Sequence, residues 1–411
     1  MKNWQRLTLM LSALFMVIGA FSCQALAATT INGRASTEFE WYDDANGDTA
    51  TPIYQYLQFN ALNLADKGWD FRSYGRASTD LSNKVDAKSR LYYAYVQKKG
   101  LAEGLDVKLG RQFLITTAGA SLMDGISLDY ALPFAKNTPM TFSLFGGGDV
   151  SYYKGYDSKD LITGGKLKGT FFDTLNAGVS YVQRWSGSAL ANEMFGLDLD
   201  YEYKNMLNLY SEVQYDYLSD SISYFLAGAT YHKSEKWSLR TEYLYSLPVF
   251  SSTSIYSVFA VNQYEELMTE LNYRITTGLK SFGRLTYEMY PNFDNAVVLE
   301  AGVEKIRTDR ISGYLSGVWR KDGNGGQDMT GVKARGRYMI NQMFQAGVGA
   351  EIDVLQRRLE IDNNDTLSSR YWLDLTAALT KTINVEAKIE RSKSDLWNEY
   401  YQGRVRLNIN F

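Results

Sequence analysis

The residues in this chain whose types and spacing could do chemistry are charged ones on alternate positions. The chemistry they offer is electrostatic. Arg34, Arg72, Arg76, Arg90, Lys108, Arg404 and Arg406 lie towards the two ends of the sequence, joined by Lys333, Arg335 and Arg337. Asp198, Asp200, Glu202, Glu212, Glu242 and Glu270 lie in its middle, with Asp216, Glu266, Glu288, Glu300 and Glu304. Bond-making chemistry has far less to work with. Cys23 is the one cysteine and His232 the one histidine, so thiol catalysis, structural zinc and C-x-x-C-H haem attachment lack their ligands. His232 precedes Lys233-Ser234-Glu235-Lys236, a turn in which a solvated histidine is expected rather than a general base. The carboxylates are spread along the chain and do not converge as a hydrolytic pair must. The chain therefore reads as no enzyme, with no catalytic residue, no metal ligand set and no cofactor of its own.

Such alternation belongs to β-strands, in which successive side chains point to opposite faces. The last stretch shows it most cleanly. Tyr401, Gly403, Val405, Leu407, Ile409 and Phe411 share one parity, and Gln402, Arg404, Arg406, Asn408 and Asn410 the other. Phe195, Leu197, Leu199 and Tyr201 alternate likewise with Asp198, Asp200 and Glu202. About 22 such segments (20–24) can be placed between residues 29 and 411, each roughly 9 to 14 residues long, the span that a tilted strand needs to cross a bilayer. Connections alternate between short ones, such as 65–68, 204–205 and 234–235, and longer ones, such as 43–51, 81–87, 114–124, 149–159 and 248–263. All five prolines fall at segment ends or in connections, where they remove no ladder hydrogen bond. The expected fold is all-β, a single transmembrane antiparallel barrel with no plug domain. A closed barrel makes the first and last strands neighbours, so the basic group would form one wall of the lumen and the acidic group another, a transverse field across the interior. The plainer alternative is that these charges pair across strands and solvate a wet interior.

Composition and ends agree with a membrane barrel. Lys2 and Arg6 precede the apolar run Leu7 to Phe21, and Ala25-Leu26-Ala27 is a small-x-small cleavage site, so residues 1–27 read as a secretory signal peptide and 28–411 as the barrel. Cys23 allows a rival lipoprotein reading, which Phe21-Ser22 fits poorly. Of 43 basic residues, Lys2 and Arg6 would leave with the leader; the remaining 41 against 46 acidic ones give no reason to expect nucleic acid as a partner. No apolar run after residue 27 is long enough for a membrane-spanning helix. Thirty-one tyrosines suit aromatic girdles at two membrane interfaces.

Two stretches carry a resemblance to a known family. The terminal strand ending on Phe411 resembles the closing strand of bacterial outer-membrane β-barrels, whose final Phe is an assembly signal. Leu109-Gly110-Arg111-Gln112 is similar to the L-G-R-Q that ends a strand in Gram-negative porins, before the third loop folds into the pore. The resemblance implies the outer membrane of a Gram-negative bacterium, surrounding lipid, barrel-assembly machinery recognising Phe411, and passive diffusion of ions and small polar solutes. Asp124 resembles the acidic constriction residues of porins, and Arg111 could oppose it. Strict parity points Arg111 towards lipid, however, and the dozen residues after it are few for an in-folded loop. A second function stays open, a barrel sheath around a periplasmic multihaem cytochrome, as does assembly into a homo-oligomer.

Overall fold

The computed structural model describes residues 29–43, 47–132, 138–151, 155–247, 263–323, 328–356, 365–395 and 397–411. The expected signal peptide, 1–27, lies outside the described residues. The strand segments are β1 (Thr30–Asp43), the two-residue β2 (Thr49–Ala50), β3 (Pro52–Leu64), β4 (Trp69–Asp80), β5 (Arg90–Ala102), β6 (Leu105–Thr116), β7 (Gly119–Ala131) and β8 (Met140–Ser151). They continue as β9 (Asp157–Phe171), β10 (Leu175–Ser186), β11 (Ala189–Tyr203), β12 (Leu207–Asp216), β13 (Ser221–Ser234), β14 (Trp237–Ser246), β15 (Tyr264–Thr276) and β16 (Leu279–Met289). The last are β17 (Ala296–Lys305), β18 (Ile311–Asp322), β19 (Met329–Met339), β20 (Phe344–Gln356), β21 (Asp365–Ala378), β22 (Ile383–Ser394) and β23 (Trp397–Asn410). No helix among the described residues is long and apolar enough to cross a membrane.

From β3 onwards each strand pairs antiparallel with the next, and β1 pairs with both β3 and β23. The sheet is therefore a closed ring. Because β2 only prolongs the ladder beside β1, through Tyr42↔Ala50 and Asp43↔Thr49, the wall has 22 strands. At a strand spacing near 4.8 Å and a tilt near 40°, 22 strands enclose a ring roughly 40 Å across. Pairing of β1 with β23 joins the first and last strands, as a strand protein in lipid requires. The seam is tight at its base. Phe411 donates its N–H to the Gly33 carbonyl at 3.1 Å, and Gly33 returns its own to Phe411 at 2.9 Å.

Parity decides what each face meets. On β15 the outward Leu267, Leu271 and Tyr273 are exposed, while Glu266, Glu270 and Asn272 alternate with them on the lumen side. All 22 segments expected from the sequence correspond to strands. Pro52 opens β3, and Pro139 and Pro291 lie in connections; Pro133 and Pro248 lie outside the described residues. The expected long connections 114–124 and 149–159 need correction. β6 and β7 run through the first to a two-residue turn, Thr117-Ala118, and β8 and β9 take up most of the second. Strand pairing continues there because β6 and β7 still have each other to bond with after losing their outer neighbours.

Candidate functional site

Among the described residues the lumen is shaped by one hairpin. β5 pairs with β6 only as far as Ala94↔Arg111, and β7 pairs with β8 only from Met123↔Asp149 onwards. Residues 112–116 and 119–122 pair solely with each other, so the tip of the β6–β7 hairpin has left the wall. The bend falls on a row of glycines across three strands, Gly110↔Gly125↔Gly147. Gly110 has φ of 123°, a conformation that side chains with a Cβ rarely adopt. A Cβ on Gly125 would lie 2.2 Å from the Gly146 carbonyl oxygen, so the backbones approach there as only glycine allows.

The hairpin turns inward and docks on the inner wall just beyond it, on β10 and β11, three and four strands along the ring from β7. Thr117 Oγ1 donates to Asp198 at 2.6 Å, the Ala118 N–H to Ser180 Oγ at 2.9 Å, and Arg184 Nη2 to the Ala120 carbonyl at 2.5 Å. Gly196 makes room for the tip, since a Cβ there would lie 2.3 Å from the Ala118 nitrogen. One face of the hairpin supplies Leu114, Ala118 and Met123 to a buried cluster with Phe145, Ile162 and Val182 of the wall, with Met194 packed against it. Each large apolar side chain buried in this way is worth about 1.5–3 kcal/mol, so the cluster holds the hairpin more firmly than its three polar contacts. The other face presents Phe113 and Ile115, 54% and 73% exposed. Phe113 meets the inward Tyr93 edge-on at 6.2 Å.

Arg111 and Asp124 form the hairpin's base. They are cross-strand partners joined by two hydrogen bonds of 2.7 Å. Parity alone sends both outward, but the wall ends beside them, and Arg111 reaches the Leu91 and Tyr156 carbonyls instead, at 3.2 and 3.4 Å. The structure therefore places these two expected constriction residues at the root of the constricting element rather than at its tip.

The expected lumen cations divide into two groups. Arg335 shares Asp374 with Arg337, at 2.7 and 3.2 Å, and Arg406 lies 3.6 Å from Glu38. Arg34, Arg76, Lys108 and Arg404 have no carboxylate within 4.0 Å among the described residues. Arg72 only reaches Asp70 at 4.0 Å, and Arg90 lies 5.7 Å over the Tyr156 ring. Among the acids, Glu270 is held by Arg284 at 2.5 Å, and Glu242 by Tyr210 at 2.6 Å and by Arg240. Asp198 takes the hairpin's Thr117, and Asp200 accepts from Asn208 at 3.1 Å. Glu212 faces Asp198 across the β11–β12 ladder, and Glu202 ends that row near the short turn at 204–206. From β15 to β22 the inner wall is a chain of ion pairs, including Arg320–Glu288 at 2.9 Å and Lys333–Glu351 at 2.8 Å. The geometry thus combines both readings of the charges. Pairing neutralises that arc, while Arg34, Arg76, Lys108 and Arg404 make no ion pair within 4.0 Å among the described residues, Glu40 being the cross-strand partner of Arg404.

The alternation of charges gives no warning of an aromatic lining inside the barrel. Tyr74 stacks on Tyr92 at 4.8 Å and on Tyr56 at 6.3 Å, with Arg76 4.7 Å over Tyr54 and Arg406 5.0 Å over Tyr56. A signal for it exists: Tyr54, Tyr56 and Tyr74 share the parity of Gln58, Arg72 and Arg76, not that of the girdle.

Comparison with known proteins gives likenesses of fold. No family profile and no curated protein sequence matches the chain. Among solved structures it is similar to OpdQ of Pseudomonas aeruginosa, with 12% identity and a TM-score of 0.48 over 93% of this chain and 99% of that one. The translocation pore of the P pilus usher PapC matches with 9% identity and a TM-score of 0.49 over 93% of this chain and 99% of that one. A BenF-like porin of Pseudomonas fluorescens Pf-5 matches with 8% identity and a TM-score of 0.45 over 94% and 99%. Likeness at this level says nothing of solute or mechanism, and the barrel rests on its own strand pairings.

Proposed function

We propose that this chain is an outer-membrane channel through which ions and small polar solutes diffuse passively, narrowed by the in-turned β6–β7 hairpin. The observation that carries this reading is the hairpin turned into the lumen and fixed on the neighbouring inner wall by Thr117–Asp198 and Ala118–Ser180, inside a ring that is apolar outside and charged inside. A water-filled interior lined by charges lowers the cost of moving an ion across hydrocarbon, and a constriction selects among solutes by size and charge. Termini on the short-turn side put that side in the periplasm and the longer connections outside.

The cytochrome-sheath alternative receives no support. A sheath must leave its lumen clear for a folded partner, whereas residues 112–122 and the cluster beneath them occupy part of it. The deciding experiment is conductance of the purified chain in planar lipid, with an absorbance spectrum of the same preparation. Steady ohmic steps from a colourless protein are expected. Absence of conductance from a folded barrel, or stoichiometric haem, would overturn the channel.

A further inference from the structure

The outward wall is not uniform. Across β18 to β22 it carries a concavity of about 650 Å³ whose lining is almost wholly apolar. Its floor is made by small outward residues, Ala334, Gly336 and Ala350, where neighbouring stretches of wall carry large ones. Leu315, Val348, Leu373 and Ile389 form its rim, each more than half exposed.

The groove has a direction. Leu315, Ala334, Ala350, Tyr371, Arg391 and Tyr401 are successive cross-strand partners, so they form one row perpendicular to the strands. β18 and β22 both start from the short-turn end; Leu315 is the fifth residue of the first and Arg391 the ninth of the second. The row therefore climbs from the lower half of the wall to its loop end, crossing the apolar band obliquely. At the upper end stands Arg391. Two of its N–H groups go to Glu399, at 2.7 and 3.0 Å, leaving three of five donors uncommitted by that pair, and the exposed Lys393 follows on the same face.

From this geometry we propose that the groove binds one lipid, its acyl chain on Ala334, Gly336 and Ala350 and its phosphate at Arg391 and Lys393. The inference rests on the barrel lying in a bilayer and not on what passes through the lumen. A surface facing hydrocarbon is covered by lipid by default, and a recess that no chain enters would forfeit the contacts its lining could make. Arg391, beyond its pair with Glu399, and the neighbouring Lys393 offer N–H donors to a phosphate. Asp43 and Asp395 at the same end accept the backbone N–H groups of Tyr401 and Leu367, at 3.2 and 2.7 Å. A headgroup without an ammonium of its own leaves the Arg391 and Lys393 donors to its phosphate.

The test is native mass spectrometry of the full chain in neutral detergent, titrated with phosphatidylglycerol and, separately, with phosphatidylcholine. Gly336→Leu and Ala350→Leu fill the floor. No neighbouring atom lies within 4 Å of a Cβ built on Gly336, so that variant has room to fold, and heat-modifiable migration on gels verifies that each barrel has formed. Wild type should retain one phosphatidylglycerol through detergent exchange, and either leucine should cut that retention several-fold. Arg391→Gln should abolish the preference for phosphatidylglycerol while phosphatidylcholine binding persists. Equal retention in all four proteins would reduce the groove to bulk annulus and overturn the proposal. So would a leucine variant that dissociates an oligomer with lipid retention unchanged, since the groove would then hold a second copy. Conductance measured in parallel keeps a failure here distinct from a failure of the channel reading.

Discussion

The Arg111 guanidinium joins the Asp124 carboxylate by two 2.7 Å hydrogen bonds at the point where the barrel wall loses two strands. Above Ala94↔Arg111 the ladder of β5 has no β6 beside it, so the Leu91 carbonyl would face the break without a strand partner. Arg111 Nη1 supplies a donor to it and to the Tyr156 carbonyl of the next connection, while the Tyr156 ring packs 5.6 Å from the guanidinium. A planar group with five donors can serve a carboxylate and two carbonyls together, which an ammonium cannot do in the same geometry. The pair thus closes the break that the hairpin opens.

Asp124→Asn should therefore cost more than a surface ion pair would. Arg111 is 14% exposed, and the substitution removes its hydrogen-bonded counter-charge. A hydrogen bond to a charged group is worth about 1.5–3 kcal/mol, so about 2 kcal/mol of unfolding stability is expected to go. Urea unfolding in detergent measures this, and single-channel records should show added current noise as the hairpin's root loosens. Wild-type stability together with a quiet current would reduce the pair to incidental geometry.

The tip can be tested from both directions. Gly196→Leu places side-chain atoms where Ala118 now lies and should drive the hairpin off the wall, raising conductance and admitting larger neutral solutes in liposome swelling. Conversely, Ala118→Cys with Ser180→Cys joins two positions already held by a 2.9 Å hydrogen bond. Oxidation of that pair should leave conductance unchanged. A sharp fall on cross-linking would mean that the hairpin normally stands elsewhere.

Ion selectivity should depend on the β1–β6 arc and its neighbour Arg404 more than on the paired arc. One charge about 4 Å from a passing ion in water is worth about 1 kcal/mol, about fivefold in partitioning. Serine replacement of Arg76 and Arg404, which have no carboxylate within 4.0 Å among the described residues, should shift reversal potentials towards cations. Replacing Arg335 should shift them less, because Arg337 still neutralises part of Asp374. Equal shifts from both arcs would show that the ion pairs give no screening.

The ring of strands was legible because the rule behind it is local. Each segment such as Phe195 to Tyr203 declares its two faces by parity, and lipid outside with water inside rewards that alternation along the whole chain. The inward turn was not legible, because leaving the wall reverses what parity means: Phe113 shares the parity of the outward Leu109 yet meets Tyr93 in the lumen. Its traces were apolar residues at lumen parity, Phe145, Ile162 and Val182, and glycines at 110, 125 and 147 that become a row only once the register is known. Charge pairing was hidden for the same reason. Arg335 and Asp374 are 39 residues apart and meet across β20, which no reading of single strands reveals.

The seam makes the last prediction the sharpest. A Cβ on Gly33 would lie 2.3 Å from the Gln58 carbonyl oxygen and 2.6 Å from the Phe411 ring, so the closing strand needs glycine there. Gly33→Val pushes against backbone on one side and against the terminal ring on the other, and the strand cannot shift by one residue without turning Arg404 and Arg406 into lipid. The variant should fail to reach the heat-modifiable, folded form when refolded into detergent. Deleting Phe411 is different in kind. It removes the two hydrogen bonds with Gly33 but leaves the nine β1–β23 cross-strand pairs from Arg34↔Asn410 to Tyr42↔Gln402 in place. That chain should still fold in detergent, yet it should reach the membrane poorly in cells if Phe411 acts as an assembly signal. Normal assembly of the deletion in cells would mean that the terminal ring serves only to pack the seam.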